Sequence, residues 1–161
     1  MERLFLILKK IITVTIARES RHNTYDIILT VDENMRNKLT IEEIEEIKNN
    51  EWVMLSTSKD NIPRAIVVMP SRVESDKIIL SNIQMNKSIE NIDSNSNCFI
   101  NVYIKNKNDK QIKISCTAEV YNSGELYNEI KILEETKNLP DELKVHSIIV
   151  ANIKNIEVSE G

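Results

Sequence analysis

The chain has 161 residues, 41% of them hydrophobic and 29% charged, which is ordinary for a single globular domain that buries its own core. Its formal net charge of −4 gives no electrostatic reason to expect nucleic acid or an anionic membrane as a partner. The two cysteines and two histidines are far apart in sequence and predict no metal-ligand cluster. Any anion-binding site must therefore be local.

The first 39 residues are interpreted as an extension that precedes a domain over residues 40–161. The apolar run from Leu4 to Leu8 is much shorter than the ~20 residues of a membrane helix. It is also shorter than the apolar region of a secretion signal, which has about 7–15 residues. Two β-branched runs, residues 11–17 and 25–31, favour an added hairpin; a helix over residues 4–17 is the alternative.

The segment "TIEEIEEIKNN" predicts the first helix of the domain. Thr40 and Glu43 have the spacing of a capping box, in which each side chain bonds to the backbone of the other residue. Ile41, Ile44 and Ile47 recur at helical spacing and share one face. This face is expected to pack on a sheet.

The pattern then changes to the period of two that is typical of strands. The predicted strands cover residues 52–58, 64–73, 77–81, 98–104, 111–121 and 145–158, and a helix over 86–95 follows the third of them. Only two glycines are present, so the turns are expected to use Asn and Asp, as in "KDN" and "KNKNDK". Together these elements predict a mainly β, α+β fold: a small antiparallel barrel of five or six strands with peripheral helices.

Two further expectations concern single side chains. Ser123 is predicted to cap a helix that turns Leu126, Ile130 and Leu133 inward. Cys98 and Cys116 lie in apolar alternating runs, which is typical of buried reduced thiols. We therefore expect no disulfide, and the cytoplasm as the compartment.

The stretch "SNIQMNKSIENI", residues 81–92, is the candidate functional segment. The first N–H groups of a helix are unpaired and carry the positive end of its dipole. Beside Lys87 and Ser88 they form a possible seat for a phosphate dianion, although a solvated helix start gives the same pattern. The rest of the chain offers no Ser/His/Asp arrangement and no glycine-rich phosphate loop.

From Thr40 to Val158 the order of elements resembles the pyridoxamine 5'-phosphate oxidase-like FMN-binding split-barrel family. The resemblance is carried by the opening helix and by "EWVMLSTSKDNIPRAIVVMPSRV", "KIILSNIQMNKSIENIDSNSNCFINVYI" and "KQIKISCTAEVYNSGELY". It implies a six-stranded antiparallel split β-barrel, FMN as cofactor and a homodimer with the cofactor at the subunit interface. The redox chemistry would then be that of the flavin, with an electron donor and acceptor that remain unnamed.

The resemblance also implies a set of cofactor-binding residues. Backbone groups after the arginine of the second strand would lie along the flavin ring, the strand end and helix start would hold the phosphate, and a later glutamine would reach the cofactor. In this chain these positions are Arg64, Val67, Val68, Met69, Ser81, Asn82, Asn86, Lys87, Ser88 and Gln111.

The chain departs from the family at two charged positions. Met69 and Pro70 stand where the oxidase often has a lysine, and Asn86 stands where it tends to have an arginine. With two positive charges fewer, phosphate binding is expected to be weaker or shifted toward Arg64 and Arg72. The oxidase also has a C-terminal segment with tryptophan and arginines for its substrate, whereas the one tryptophan here is Trp52, so pyridoxamine phosphate oxidase activity is not expected. Two alternatives stay open: the same fold with a deazaflavin or haem, and a non-catalytic structural or interaction domain.

Overall fold

The structure is a computed structural model. It describes the backbone of residues 12–18 and 25–31, and backbone and side chains of 36–105, 109–137, 140 and 143–159. The chain forms two compact units, residues 1–35 and 36–161. The second unit begins four residues before the predicted domain start, because the backbone of Arg36 bridges to Ile156 and Leu39 is buried in the core.

The described residues of the first unit form an antiparallel hairpin. Its strands are β1 (Ile12–Arg18) and β2 (Tyr25–Val31), which pair from Ile12 opposite Val31 to Arg18 opposite Tyr25. These are the two runs that the sequence favours as a hairpin. The expectations for residues 1–11 and for the polar connection lie outside the described residues.

The second unit is a curled antiparallel sheet with three helices among its described residues. The strand order across the sheet is β4-β3-β7-β8-β9-β6-β5. The elements are α1 (Ile41–Asn50), β3 (Val53–Lys59), β4 (Ile62–Val68), β5 (Pro70–Val73), β6 (Lys77–Asn82), α2 (Asn86–Ser94), β7 (Asn97–Ile104), β8 (Lys110–Tyr121), α3 (Glu125–Glu135) and β9 (Ser147–Ser159).

The sheet of this unit has seven strands where six were predicted. The difference arises at Met69, which divides the predicted strand 64–73 into β4 and β5. β4 pairs with β3, whereas β5 pairs with β6 at the opposite end of the strand order. Since one residue joins the two edge strands, the sheet must curl back on itself as a half-barrel.

The predicted capping box at the start of α1 is confirmed. The Glu43 N–H donates to Thr40 Oγ1 at 3.2 Å, and Glu43 Oε2 accepts from the Thr40 N–H at 2.9 Å. Lys110 Nζ of β8 donates to Glu46 Oε2 at 2.6 Å, a half-buried ion pair that ties α1 to the sheet. Ile47, on the inner face of α1, is fully buried.

The β3–β4 turn uses the residues that the sequence predicts. Asp60 and Asn61 have φ values of 51° and 61°, so two polar residues adopt the left-handed conformation that a tight hairpin requires. The other predicted cap is wrong: the N-cap of α3 is Gly124, not Ser123. Its φ of 99° is a conformation that glycine adopts without steric cost, which explains why the helix begins one residue later.

The inward face of α3 also differs from the prediction. Ile130 is fully buried, but Leu133 is 42% exposed, and the buried place one turn on is taken by Glu134. The alternation of β8 is as predicted, with Ile112, Ile114 and Cys116 buried toward the core. Among the described residues, no helix is both long enough and apolar enough to cross a bilayer.

Candidate functional site

A cavity of about 500 Å³ opens where the β4–β5 junction meets the end of β6. Trp52, Val67 and Met69 form part of its wall, and each remains about half exposed or more in the single chain. The wall is mainly apolar. A volume of this size suits an aromatic ring system, and the exposed rim leaves apolar surface for a second molecule to cover.

The floor of the cavity contains two serines that the fold brings together. β5 and β6 shift register between Pro70 and Arg72, which leaves Ser71 without a partner in the ladder. A bulge of this kind redirects a side chain, and here the Oγ of Ser71 lies 2.6 Å from the Oγ of Ser81 on β6. Both serines line the cavity.

Asn82 shapes the turn that forms another side of the cavity. Its Oδ1 accepts from the Met85 N–H at 2.8 Å, its Nδ2 donates to Ser147 Oγ at 2.9 Å, and its carbonyl accepts from the His146 N–H at 2.9 Å. The buried Asn82 side chain therefore fixes the turn formed by residues 83–85, and these residues line the cavity. Asn82 is a positioning residue whose own polar atoms are already bonded.

The start of α2 lies next to this turn. Its N-cap is Met85, which gives the first turn no side-chain hydrogen bond, in contrast to the full capping box of α1. The first N–H groups of α2 are therefore left for a ligand or water. Ser88 in this turn is 1% exposed, and among the described residues its Oγ has no hydrogen-bond partner. An uncapped helix start beside an apolar cavity fits a ligand with a ring and a phosphate.

The cations around the site already have carboxylate partners. Lys87 donates to Glu90 Oε2 at 2.8 Å, with its side chain 67% exposed, and this pair lowers the pKa of Glu90. Lys137, on the cavity wall, lies 2.8 Å from Oε2 of the buried Glu134. An incoming phosphate must therefore compete with acidic side chains for these ammonium groups.

The predicted site residues fall into three groups. Val67, Val68, Met69 and Ser81 line the cavity. Beside the cavity, buried Asn82 begins the loop that leads from β6 to α2. The first turn of α2 contains the exposed Asn86 and Lys87 and the buried Ser88. Arg64, exposed on β4 opposite Thr57, and Gln111, paired with Tyr103 and Ser159, lie away from the lining.

Several lining residues were not predicted. Glu134 and Lys137 come from the end of α3, about fifty residues after β6, so only the tertiary fold brings them to the cavity. A signal for Glu134 was present: it follows Leu126 and Ile130 at a spacing of four. The choice of the more apolar Leu133 concealed it. Arg72, offered as a phosphate ligand, instead bonds Glu129 Oε2 with both terminal nitrogens at 3.1 Å.

The described residues contain no group of three or more His, Cys, Asp or Glu side chains that could hold a metal ion. No protein-family model matches the chain, and no curated protein matches its sequence. Its relationships are therefore visible only in three dimensions.

The fold is found in solved structures of low sequence identity. A Group A Streptococcus HupZ variant superposes with a TM-score of 0.64 at 16% identity, covering 74% of this chain and 98% of that chain. A Clostridium acetobutylicum protein of the pyridoxinephosphate oxidase family, related to general stress protein 26, gives 0.61 at 14%, covering 74% and 87%. An FMN-binding protein from Syntrophomonas wolfei gives 0.59 at 20%, covering 73% and 86%. The resemblance to the pyridoxamine 5'-phosphate oxidase-like fold is thus confirmed.

Proposed function

We propose that the chain is an FMN-binding flavoprotein that works as an oxidoreductase. The observation that carries the proposal is the apolar cavity of about 500 Å³ beside the uncapped first turn of α2, on a fold shared with an FMN-binding protein. The cavity suits the isoalloxazine ring, and the helix start suits the phosphate. When bound, FMN would supply the electron or hydride transfer itself.

The residues of the chain then have separate tasks. Trp52, Val67 and Met69 exclude water from the ring, and the hydroxyls of Ser71 and Ser81 offer hydrogen bonds from the floor of the cavity. The N–H groups of the first turn of α2, with Lys87, hold the phosphate after Lys87 leaves Glu90. None of these tasks requires a side-chain acid or base.

Flavin uptake tests the proposal directly. The purified full chain is titrated with FMN, a deazaflavin and haem, and each is followed by its absorption and by quenching of Trp52, the only tryptophan, which lies at the cavity. We expect tight binding of FMN. Tighter binding of the deazaflavin or of haem would mean that FMN is not the cofactor. Binding of none of the three would contradict the proposal. If FMN binds but neither a nicotinamide nor dithionite reduces it, the chain binds flavin without being an oxidoreductase.

Lys87→Ala is expected to weaken FMN binding by about 1–3 kcal/mol, roughly tenfold to a hundredfold, because one charge-assisted bond to the phosphate is lost. Lys48→Ala is a matched control. Lys48 also pairs with a glutamate three residues away on a helix, Glu45, at 3.1 Å. The Lys48→Ala variant should bind FMN as tightly as the wild type. The measurement is the FMN dissociation constant of each variant.

Glu90→Gln should act in the opposite direction, because it releases Lys87 from its competing carboxylate. We expect a severalfold gain in FMN affinity that disappears at high salt, where screened charges matter little. If Lys87→Ala and Glu90→Gln both leave the affinity unchanged, Lys87 has no part in phosphate binding and the N–H groups act alone.

We further propose that two copies associate through the outer face of the β3–β4 hairpin. Buried Val53 and Leu55 alternate with Met54, so Met54 points away from the core, opposite Val67 on β4. Val67 is 64% exposed and also belongs to the cavity wall. A second copy on this uncharged face would cover apolar surface and close the rim, as expected for a cofactor at a subunit interface.

Ala65→Arg tests this association. Ala65 is exposed on the same face, opposite Ser56, and is not part of the cavity lining, so an arginine there would bury an unpaired charge in the dimer. We expect sedimentation to show the 18.6 kDa monomer instead of a dimer, together with weaker FMN binding. Ile132→Arg, at a 63% exposed position of α3, is the control that should stay dimeric. A wild-type chain that is monomeric at all concentrations would contradict the association.

A further inference from the structure

The two cysteines of the chain lie directly opposite each other on adjacent strands. Cys98 of β7 and Cys116 of β8 are register partners in the antiparallel ladder, and the sequence contains no other cysteine. Two positions along the ladder, the Ala118 N–H donates to the Ser96 carbonyl at 2.7 Å, so Ser96 and Ala118 form a hydrogen-bonded pair. By the alternation of the ladder, Cys98 and Cys116 form the next hydrogen-bonded pair, with Cα atoms ~5.5 Å apart. Disulfides span about 4.4–6.8 Å between Cα atoms.

The two thiols also interact chemically. Proximity to Cys116, whose thiol donates to the Ile114 carbonyl at 3.8 Å, lowers the pKa of the Cys98 thiol against the opposing effect of burial. Proximity to Cys98, together with burial, raises the pKa of Cys116. Cys98 is also the more exposed of the two, at 7% against 3%, so we assign it as the attacking sulfur and Cys116 as the thiol that remains protonated beside it. This is the division of roles that a nucleophilic and a resolving cysteine need.

A second cavity, of about 480 Å³, lies beside the strand pair that carries both cysteines, which are 7% and 3% exposed and belong to the core cluster. The residues that line it include Cys98, Cys116, Ser56, Pro63 and Lys154. None of these five residues lines the proposed flavin cavity, so the two sites are separate within the described chain.

We propose that Cys98 and Cys116 are an oxidation site that a hydroperoxide converts into a reversible intramolecular disulfide. The Cys98 thiolate attacks the O–O bond of hydrogen peroxide, which gives a sulfenic acid and, with a proton, one water. The Cys116 thiol then attacks the sulfenic sulfur, the S–S bond forms, and a second water leaves. Two thiols lose two electrons in total, and one peroxide molecule gains them.

The register of the pair explains why the bond should be reversible. In antiparallel sheets the Cβ atoms of hydrogen-bonded partners are near the wide end of ~4.5–5.5 Å, whereas a disulfide holds its Cβ atoms ~3.8 Å apart. The strands must therefore close in, and a disulfide formed under such constraint is more easily reduced than a structural one. The site is suited to a switch more than to a permanent cross-link.

The test uses the full wild-type chain without added flavin, so its outcome does not depend on the proposed function. The protein is treated with hydrogen peroxide, the peroxide is removed with catalase, and the chain is denatured, alkylated and weighed intact. We expect a monomer that has lost the mass of two hydrogen atoms and takes up no alkyl group. After treatment with millimolar glutathione it should again take up two.

Single variants are the controls. Cys98→Ser and Cys116→Ser each keep one thiol and should never lose two hydrogens within a monomer, and Cys116→Ser should trap a sulfenic acid that dimedone labels. Three results would overturn the proposal: full alkylation after peroxide, independent oxygen addition at both cysteines, or a disulfide only between chains. A disulfide that resists glutathione would overturn its reversible character.

Discussion

Replacing Ser81 with phenylalanine is expected to weaken FMN binding by about a hundredfold or more, or roughly 3 kcal/mol. Ser81 lies on the floor of the cavity of about 500 Å³, with its Oγ 2.6 Å from that of Ser71. An aromatic ring at this position fills the space that the flavin ring requires. Because the new side chain enters an open cavity and not the packed core, the fold should tolerate it better than a core insertion, which costs about 1–3 kcal/mol.

Ser115→Phe is the matched control for this experiment. Ser115 is also a half-buried serine on a strand of the same sheet, but it lines the other cavity, of about 480 Å³. It should bind FMN like the wild type, and both variants should unfold at temperatures close to that of the wild type. If Ser115→Phe loses binding and Ser81→Phe keeps it, the flavin site lies at the second cavity and the proposed assignment is wrong. The measurement is an FMN titration of each purified variant.

The sequence predicted those features of the fold that neighbouring residues determine. The capping box of Thr40 and Glu43 needs only a spacing of three, and the buried alternation of Ile112, Ile114 and Cys116 needs only a period of two. The turn at Asp60 and Asn61 follows from the two residue types that best tolerate a positive φ besides glycine. Local chemistry decides each of these features, so no tertiary information was needed.

What the sequence could not give depends on residues that meet only in the folded chain. Pro70 is a local signal that the strand divides at Met69, since a proline is confined to edge strands, strand starts or bulges. The pairing of β4 with β3 and of β5 with β6, which makes two strands of the segment, is set only in the folded chain. For the same reason Glu134 was missed as part of the cavity. The ion pair of Lys87, in contrast, could be predicted from the sequence. Glu90 follows at a spacing of three on the same helix, where opposite charges pair, so Lys87 was not to be expected as a free phosphate ligand.

Glu43→Ala is expected to lower the free energy of unfolding by about 2–4 kcal/mol, a large share of the stability of a domain of this size. Glu43 is 5% exposed, and its carboxylate accepts from both terminal nitrogens of Arg36, one of them at 2.7 Å, and from the Thr40 N–H. The substitution leaves the Arg36 guanidinium without this partner and removes half of the capping box. Because the Arg36 side chain is 35% exposed and can turn to water, the loss should fall below that of a fully buried pair.

Glu45→Ala separates this effect from a general loss of helix charge. Glu45 is on the same helix and also pairs with a basic residue, Lys48, but its side chain is 58% exposed. Exposed pairs contribute about 0–1 kcal/mol, so this variant should unfold nearly like the wild type in urea. Equal losses in the two variants would mean that the Arg36–Glu43 pair has no special role in holding α1 to the domain.

The contribution of Glu43 should also depend on pH, with a sign fixed by its pKa. Burial raises the pKa of Glu43, but hydrogen bonds from Arg36 and Thr40 outweigh burial and bring the folded-state pKa below its ordinary value of 4.5. The unfolded chain therefore takes up the proton first as the pH falls. The stabilisation is fully present above the unfolded pKa and is lost as the pH drops through the lower folded one. In urea titrations the difference between wild type and Glu43→Ala should thus be constant near neutral pH and shrink in acid; a difference that stays constant into acid would assign the loss to packing and not to charge.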